Sequence, residues 1–169
     1  ACRATRVRGE QSEELLDLRM QCLDGRLKEL GALSRLLMHA DEPLVERAVR
    51  AAHELPSLED CADGRGLLAR VRPPRDASQR AEVAALRGKQ AEVAALLIAG
   101  KYTDGEPLAE ALLASTRRLG YLPLVGDAQL LLAGFELRQG RFEAAEQNFE
   151  AALLTAVAAG DEAQAFAAK

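Results

Sequence analysis

Leu132-Ala-Gly-Phe-Glu-Leu-Arg-Gln-Gly140-Arg-Phe142-Glu-Ala-Ala145-Glu-Gln-Asn-Phe149-Glu-Ala-Ala152-Leu153 reads as two amphipathic helices joined by a turn at Gly140. Leu132, Ala133 and Phe135 face one way on the first helix. Phe142, Ala145, Phe149, Ala152 and Leu153 recur at three- and four-residue intervals on the second, which gives it one apolar stripe. Small residues at Ala145 and Ala152, set between Phe142 and Phe149, let the two helices approach closely and interdigitate. A single pair of this size cannot bury its apolar faces alone, so neighbours are expected. They are visible upstream. Gly100-Lys101-Tyr102 reproduces Gly140-Arg141-Phe142, and Gly120 reproduces Gly160, both at an offset of 40 residues. Leu96, Leu97, Tyr102, Leu108, Leu112 and Leu113 keep the earlier copy apolar, with Gly105 and Ala109 at the places of Ala145 and Phe149.

This pattern resembles the tetratricopeptide repeat: a small residue after Leu132, glycine at the turn, an aromatic two residues on, then Ala145, Phe149 and Ala152 at the family's spacing. Two positions depart from it, Gln129 where that family carries a tryptophan and Glu136 where an aromatic is usual. The period is also longer than the family's. The resemblance implies an all-α chain of helical hairpins stacked into a right-handed α-solenoid, with the first helix of each pair lining a concave groove. Groove positions would then be Gln90, Ala94, Leu97 and Ile98 in one unit and Asp127, Leu130, Leu137 and Arg138 in the next. An apolar centre with Asp127 and Arg138 at its rim suits a peptide or a helix better than nucleic acid.

Residues 1–72 read as an N-terminal helical hairpin region and 73–169 as the repeats. Ser12 caps a long helix, with Glu13 and Glu14 at the positive end of its dipole. Along it Leu16, Leu23, Leu30 and Leu37 recur every seven residues, with Met20 and Leu27 at the alternate position. That is coiled-coil spacing, although Leu15, Cys22, Leu33 and Leu36 widen the stripe and favour a core helix of a bundle. Asp41-Glu42-Pro43 starts a second helix and Leu55-Pro56 stops it. Ser57-Leu-Glu-Asp60 opens a short helix, and Asp63-Gly64-Arg65-Gly66 is expected to break it. Val71 to Arg75, with Pro73-Pro74, forms the linker. Asp76, Thr103 with Glu106, and Asp161 with Gln164 supply cap signatures beyond it. The last helix, 161–169, would be half of a third repeat.

Composition bounds the function classes. Both charge signs are mixed over the chain at a net charge of −4, without the basic face that nucleic acid requires. The longest apolar run, Val93 to Ala99, is far short of the roughly 20 residues of a membrane span, so no membrane contact is expected of this segment. Cys2, Cys22 and Cys61 are an odd number without a CxxC spacing, which speaks against a disulfide framework or a zinc site and for a reducing cytoplasm. His39 and His53 lie on different helices and match no metal spacing. No catalytic constellation is legible, and neither a cofactor nor a metal is implied. A chain without an initiating Met reads as a piece of a longer protein, whose targeting signal and anchor would lie elsewhere.

Arg3-Ala-Thr-Arg-Val-Arg-Gly-Glu-Gln-Ser12, Leu15-Leu-Asp-Leu-Arg-Met20, Cys22-Leu-Asp24 and Leu44-Val-Glu-Arg47-Ala-Val49 are similar to the region that follows the kinase and transmembrane segments in myxobacterial-type serine/threonine protein kinases. There, too, tetratricopeptide-like repeats follow. The resemblance implies a non-catalytic region that binds proteins, recruiting substrates or sensing partners. An oligomerisation element built on the Leu16–Leu37 seam, giving a homodimer, and a ligand-sensing repeat domain are the alternatives.

Overall fold

The computed structural model describes residues 5, 9, 11–69 and 71–160, and its described elements are all helical. Seven α-helices of six residues or more follow in order: α1 (Glu13–Leu37), α2 (Glu42–His53), α3 (Gly64–Ala69), α4 (Ala77–Ala99), α5 (Tyr102–Leu119), α6 (Leu122–Arg138) and α7 (Phe142–Ala159). A single 3-10 turn, Glu59–Cys61, precedes α3. The expected helix over 161–169 and its cap at Asp161 lie outside the described residues.

Local chemistry accounts for most helix ends. Ser12 Oγ accepts the Leu15 amide, Asp41 the Leu44 amide and Asp76 the Gln79 amide, satisfying donors that an N-terminus leaves free. Gly100, Gly120, Gly140 and Gly160 all adopt left-handed conformations, with φ of 78°, 75°, 77° and 72°, and end helices or turns at a constant interval. Gly100 and Gly140 thus occupy equivalent turns, as the 40-residue period requires. Two expectations are corrected here. Thr103 and Glu106 do not cap α5, because the helix already starts at Tyr102 with Lys101 at the cap position. The short turn does end before Asp63, but Gly64-Arg65-Gly66 runs directly into another helix. Asp63 accepts the Arg65 amide and starts α3, and its carboxylate occupies the space a Cβ at Gly66 would need.

The two helix pairs share one core. Leu86 and Val93 of α4, Ala109, Leu112 and Leu113 of α5, and Leu124, Ala128, Leu132 and Phe135 of α6 are buried together. Burial of this kind contributes roughly 1.5–3 kcal/mol for each large apolar side chain. Where the tetratricopeptide pattern fails, polar pairs take over between α6 and α7. Gln129 is buried and accepts from the Thr155 hydroxyl at 2.9 Å; Glu136, also buried, accepts from Asn148 Nδ2 at 2.9 Å. Each of these buried polar side chains is matched by a partner one helix away, so neither acceptor is left unsatisfied.

A second cluster fastens the N-terminal helices. Ala32 and Leu33 of α1, Ala51 of α2, and Ala91 and Ala95 of α4 are buried together, with Ile98 packed on them. The polar joints repeat as well. Lys101 at the start of α5 pairs with Asp41 at the start of α2, and Arg141 at the start of α7 pairs with Glu106 in the first turns of α5. Lys101 and Arg141 are 40 residues apart, so each unit reaches back to the one before through the same position.

Cys22 and Cys61 form a disulfide, their Cα atoms 5.6 Å apart. The expectation of unpaired thiols is therefore corrected for these two; Cys2 lies outside the described residues. The reason is tertiary. Arg19 Nη2 donates to the Ala62 carbonyl at 3.0 Å and Arg26 Nη2 to Asp60 at 3.3 Å, so the Glu59–Cys61 turn is held against α1 on both sides of Cys22. That geometry is within the range a disulfide needs.

Two predictions arise from this packing. Ala145 is buried, whereas Glu143 is exposed. Ala145→Leu is expected to cost about 1–3 kcal/mol by overpacking, and Glu143→Gln close to nothing. Equal shifts in a urea titration would refute the close α6–α7 contact. Glu106 supplies a pH test. The hydrogen bond from Arg141 holds its carboxyl below the usual range; burial opposes it with a smaller effect, and the Gln139 hydrogen bond adds a still smaller lowering. A carboxylate depressed in the folded state stabilises above its unfolded pKa, about 4.3, and that contribution is lost as pH falls through the folded value. The stability difference between the native chain and Glu106→Gln should be present at neutral pH and vanish on acidification; a difference that grows in acid would contradict the pairing.

Candidate functional site: the cleft of α1, α4 and α6

α4 packs against α1 on one side and against α6 on the other. Between them lies an open cleft of about 350 Å³. Its floor is Arg87, Gln90, Ala91 and Ala94 of α4. Leu18, Gln21, Cys22, Gly25, Arg26 and Glu29 form the α1 wall, and Pro123, Asp127 and Leu130 the α6 wall. Leu67, Val71, Pro73 and Tyr121 close one end. Tyr121 donates its hydroxyl to the Val71 carbonyl at 3.1 Å, so the linker is fixed where it meets the cleft. The Cys22–Cys61 bond lies in the α1 wall and ties it to the 3-10 turn.

The eight groove positions read from the sequence divide here. Gln90, Ala94, Asp127 and Leu130 come together around the cleft. Leu97 does not line it: it packs on the shared core and lies against Gly134, where a Cβ would come within 2.8 Å of Leu97 Cδ2. Leu97 of α4 thus packs on the bare backbone of α6 at Gly134. Ile98 packs on the cluster shared with α1 and α2. Leu137 and Arg138 are exposed at the far end of α6, away from the cleft. The 3.6-residue period places all eight on first helices but does not say which side of α4 receives α1. Arg26 and Glu29, which also line the cleft, were missed because α1 was read as a core helix; Arg87, one turn before Gln90 on α4, was missed as well.

The cleft is chemically mixed. Arg26 is bound to Glu29 at 2.9 Å and to Asp60 at 3.3 Å. Arg87 pairs with no carboxylate among the described residues and shares the floor with Gln90, Ala91 and Ala94. Gln21 and Gln90 each offer a donor and an acceptor. No group of His, Cys, Asp and Glu able to hold a metal occurs among the described residues. No described helix is long and apolar enough to cross a membrane. Comparison with protein-family models, with curated proteins and with solved structures finds no match to this chain.

Proposed function

We propose that this chain is a non-catalytic protein-interaction module, a tetratricopeptide-like scaffold whose cleft between α1, α4 and α6 takes an extended peptide. The observation that carries the reading is the convergence of three helices on one open cleft lined by two glutamines, an arginine that pairs with no carboxylate among the described residues, and apolar side chains. Main-chain amides need donor and acceptor side by side, which Gln21 and Gln90 supply; Ala94 and Leu130 offer small apolar seats, and Arg87 favours an acidic residue. Its regular turns and the back-reaching Lys101 and Arg141 support stacking of like units into a solenoid. In the setting of the kinases that its N-terminal half resembles, such a module would recruit substrates or sense partners.

A random peptide library displayed on phage and selected against the chain tests this. Enriched peptides should carry an acidic residue and lose binding about tenfold or more to Leu130→Asp or Arg87→Glu, while Leu137→Asp leaves them unchanged. Failure to enrich any sequence, or binding indifferent to both cleft variants, would refute the reading. The sequence of the parent chain on either side tests the kinase setting.

A further inference from the structure

α1 is apolar on two opposite faces, and the fold uses one. Ala32 and Leu33 enter the cluster shared with α2 and α4, and Leu18 and Cys22 turn to the cleft. Met20, Leu23, Leu27 and Leu30 point the other way, with exposures of 50%, 39%, 66% and 51%. Their spacing is three, four, three, the alternation that keeps one seam facing a partner helix of the same pitch. The core-helix reading is therefore corrected for the middle of this seam: four of its six heptad residues face outward, while Leu16 is buried and Leu37 packs on the cluster shared with α2 and α4.

We propose that this outward seam of α1 is the interface for a second copy of the chain, with the two α1 helices parallel and in register. The flanking charges decide the direction. Asp17 and Asp24 each follow a leucine of the seam's heptad on one edge, and Arg19 and Arg26 each precede Met20 or Leu27 on the other. A parallel pair sets the acidic edge of one copy against the basic edge of its partner, bringing Arg19 to Asp24. An antiparallel pair sets acid against acid and base against base. Arg26 is already engaged by Glu29 and Asp60, and Asp24 holds Lys28 of its own helix at 2.7 Å in an exposed pair, so the cross-contact rests on the charge of Arg19, whose own partners, Gln11 and the Ala62 carbonyl, are neutral. Leucines at Leu23 and Leu30 are what two-stranded seams carry at that heptad position. The next seam position is Ser34, whose hydroxyl turns back to the Leu30 carbonyl at 2.8 Å and ends the apolar run.

Short isolated coiled coils are limited by the cost of ordering their helices. That cost does not arise here, because α1 is already folded against α4. The interface is small, so the dimer should be weak, with a dissociation constant on the order of micromolar. It uses a face of α1 that the peptide cleft does not, so either proposal can fail without the other.

Sedimentation equilibrium of the whole chain across the micromolar range is the test. A monomer–dimer equilibrium is expected, weakened about tenfold or more by Leu27→Asp and by Met20→Glu, and unchanged by Leu137→Asp, an exposed leucine on α6. Circular dichroism confirms that each variant is folded; two seam variants guard against the loss of one. In a Cys2→Ser background, Leu27→Cys should cross-link to a covalent dimer under mild oxidation, since a parallel in-register pair sets that position against itself. A monomer at every concentration, a dimer indifferent to both seam changes, or no cross-link at Leu27→Cys would each overturn the proposal.

Discussion

Phe135→Ala is expected to lower the unfolding free energy by about 3–5 kcal/mol, the largest effect of any single substitution in the repeat core. Phe135 is 0% exposed and heads the fully buried side chains by volume. Its ring is seated on a glycine: a Cβ at Gly105 would stand 2.4 Å from Phe135 Cε1 and 2.5 Å from Cζ. The lock between α5 and α6 is therefore a ring against bare backbone. Gly105→Ala should gain up to about 1 kcal/mol of helix propensity and lose more by collision, for a net loss of about 1–3 kcal/mol. In a Phe135→Leu background the collision is relieved and the sign should turn toward stabilisation. A urea titration of the two single variants and the double variant measures that coupling. Additive effects would mean that the ring and the glycine do not touch.

Reducing the Cys22–Cys61 bond is expected to lower stability by about 3–4 kcal/mol. The bond joins positions 39 residues apart, and a cross-link of that span removes much of the freedom of the unfolded chain. Denaturation with and without reductant, with thiol content read by mass spectrometry, gives the difference directly. An unchanged midpoint after complete reduction would place the pair outside the cooperative unit. The bond also removes the cysteine argument for a reducing compartment, since that argument rested on unpaired thiols.

The helix ends were legible because their causes are local. Ser12, Asp41 and Asp76 each reach an amide three residues away, and a left-handed turn after a helix calls for glycine wherever that helix packs. The Cys22–Cys61 pair was not legible. It depends on Arg19 and Arg26 holding a distant turn, which no spacing rule contains. Half of the expected groove positions reached the cleft for the same reason that half did not: Gln90 and Ala94 share α4 with Leu97 and Ile98, but the fold turns the latter two to different neighbours. α1 shows the limit most plainly. Its heptads were visible, yet with apolar residues on both faces the sequence alone could not say which face would stay outside.

Left-handed glycines at Gly100, Gly120, Gly140 and Gly160 also make the chain divisible. Duplicating residues 101–140 would join Gly140 to a second Lys101-Tyr102 where Arg141-Phe142 now follows, a cation and an aromatic after glycine in both cases. The junction would keep its backbone conformation and its back-reaching charge. The chain can thus change length in whole units at these four points without inventing a new turn, which is the copying step by which an array of such pairs grows.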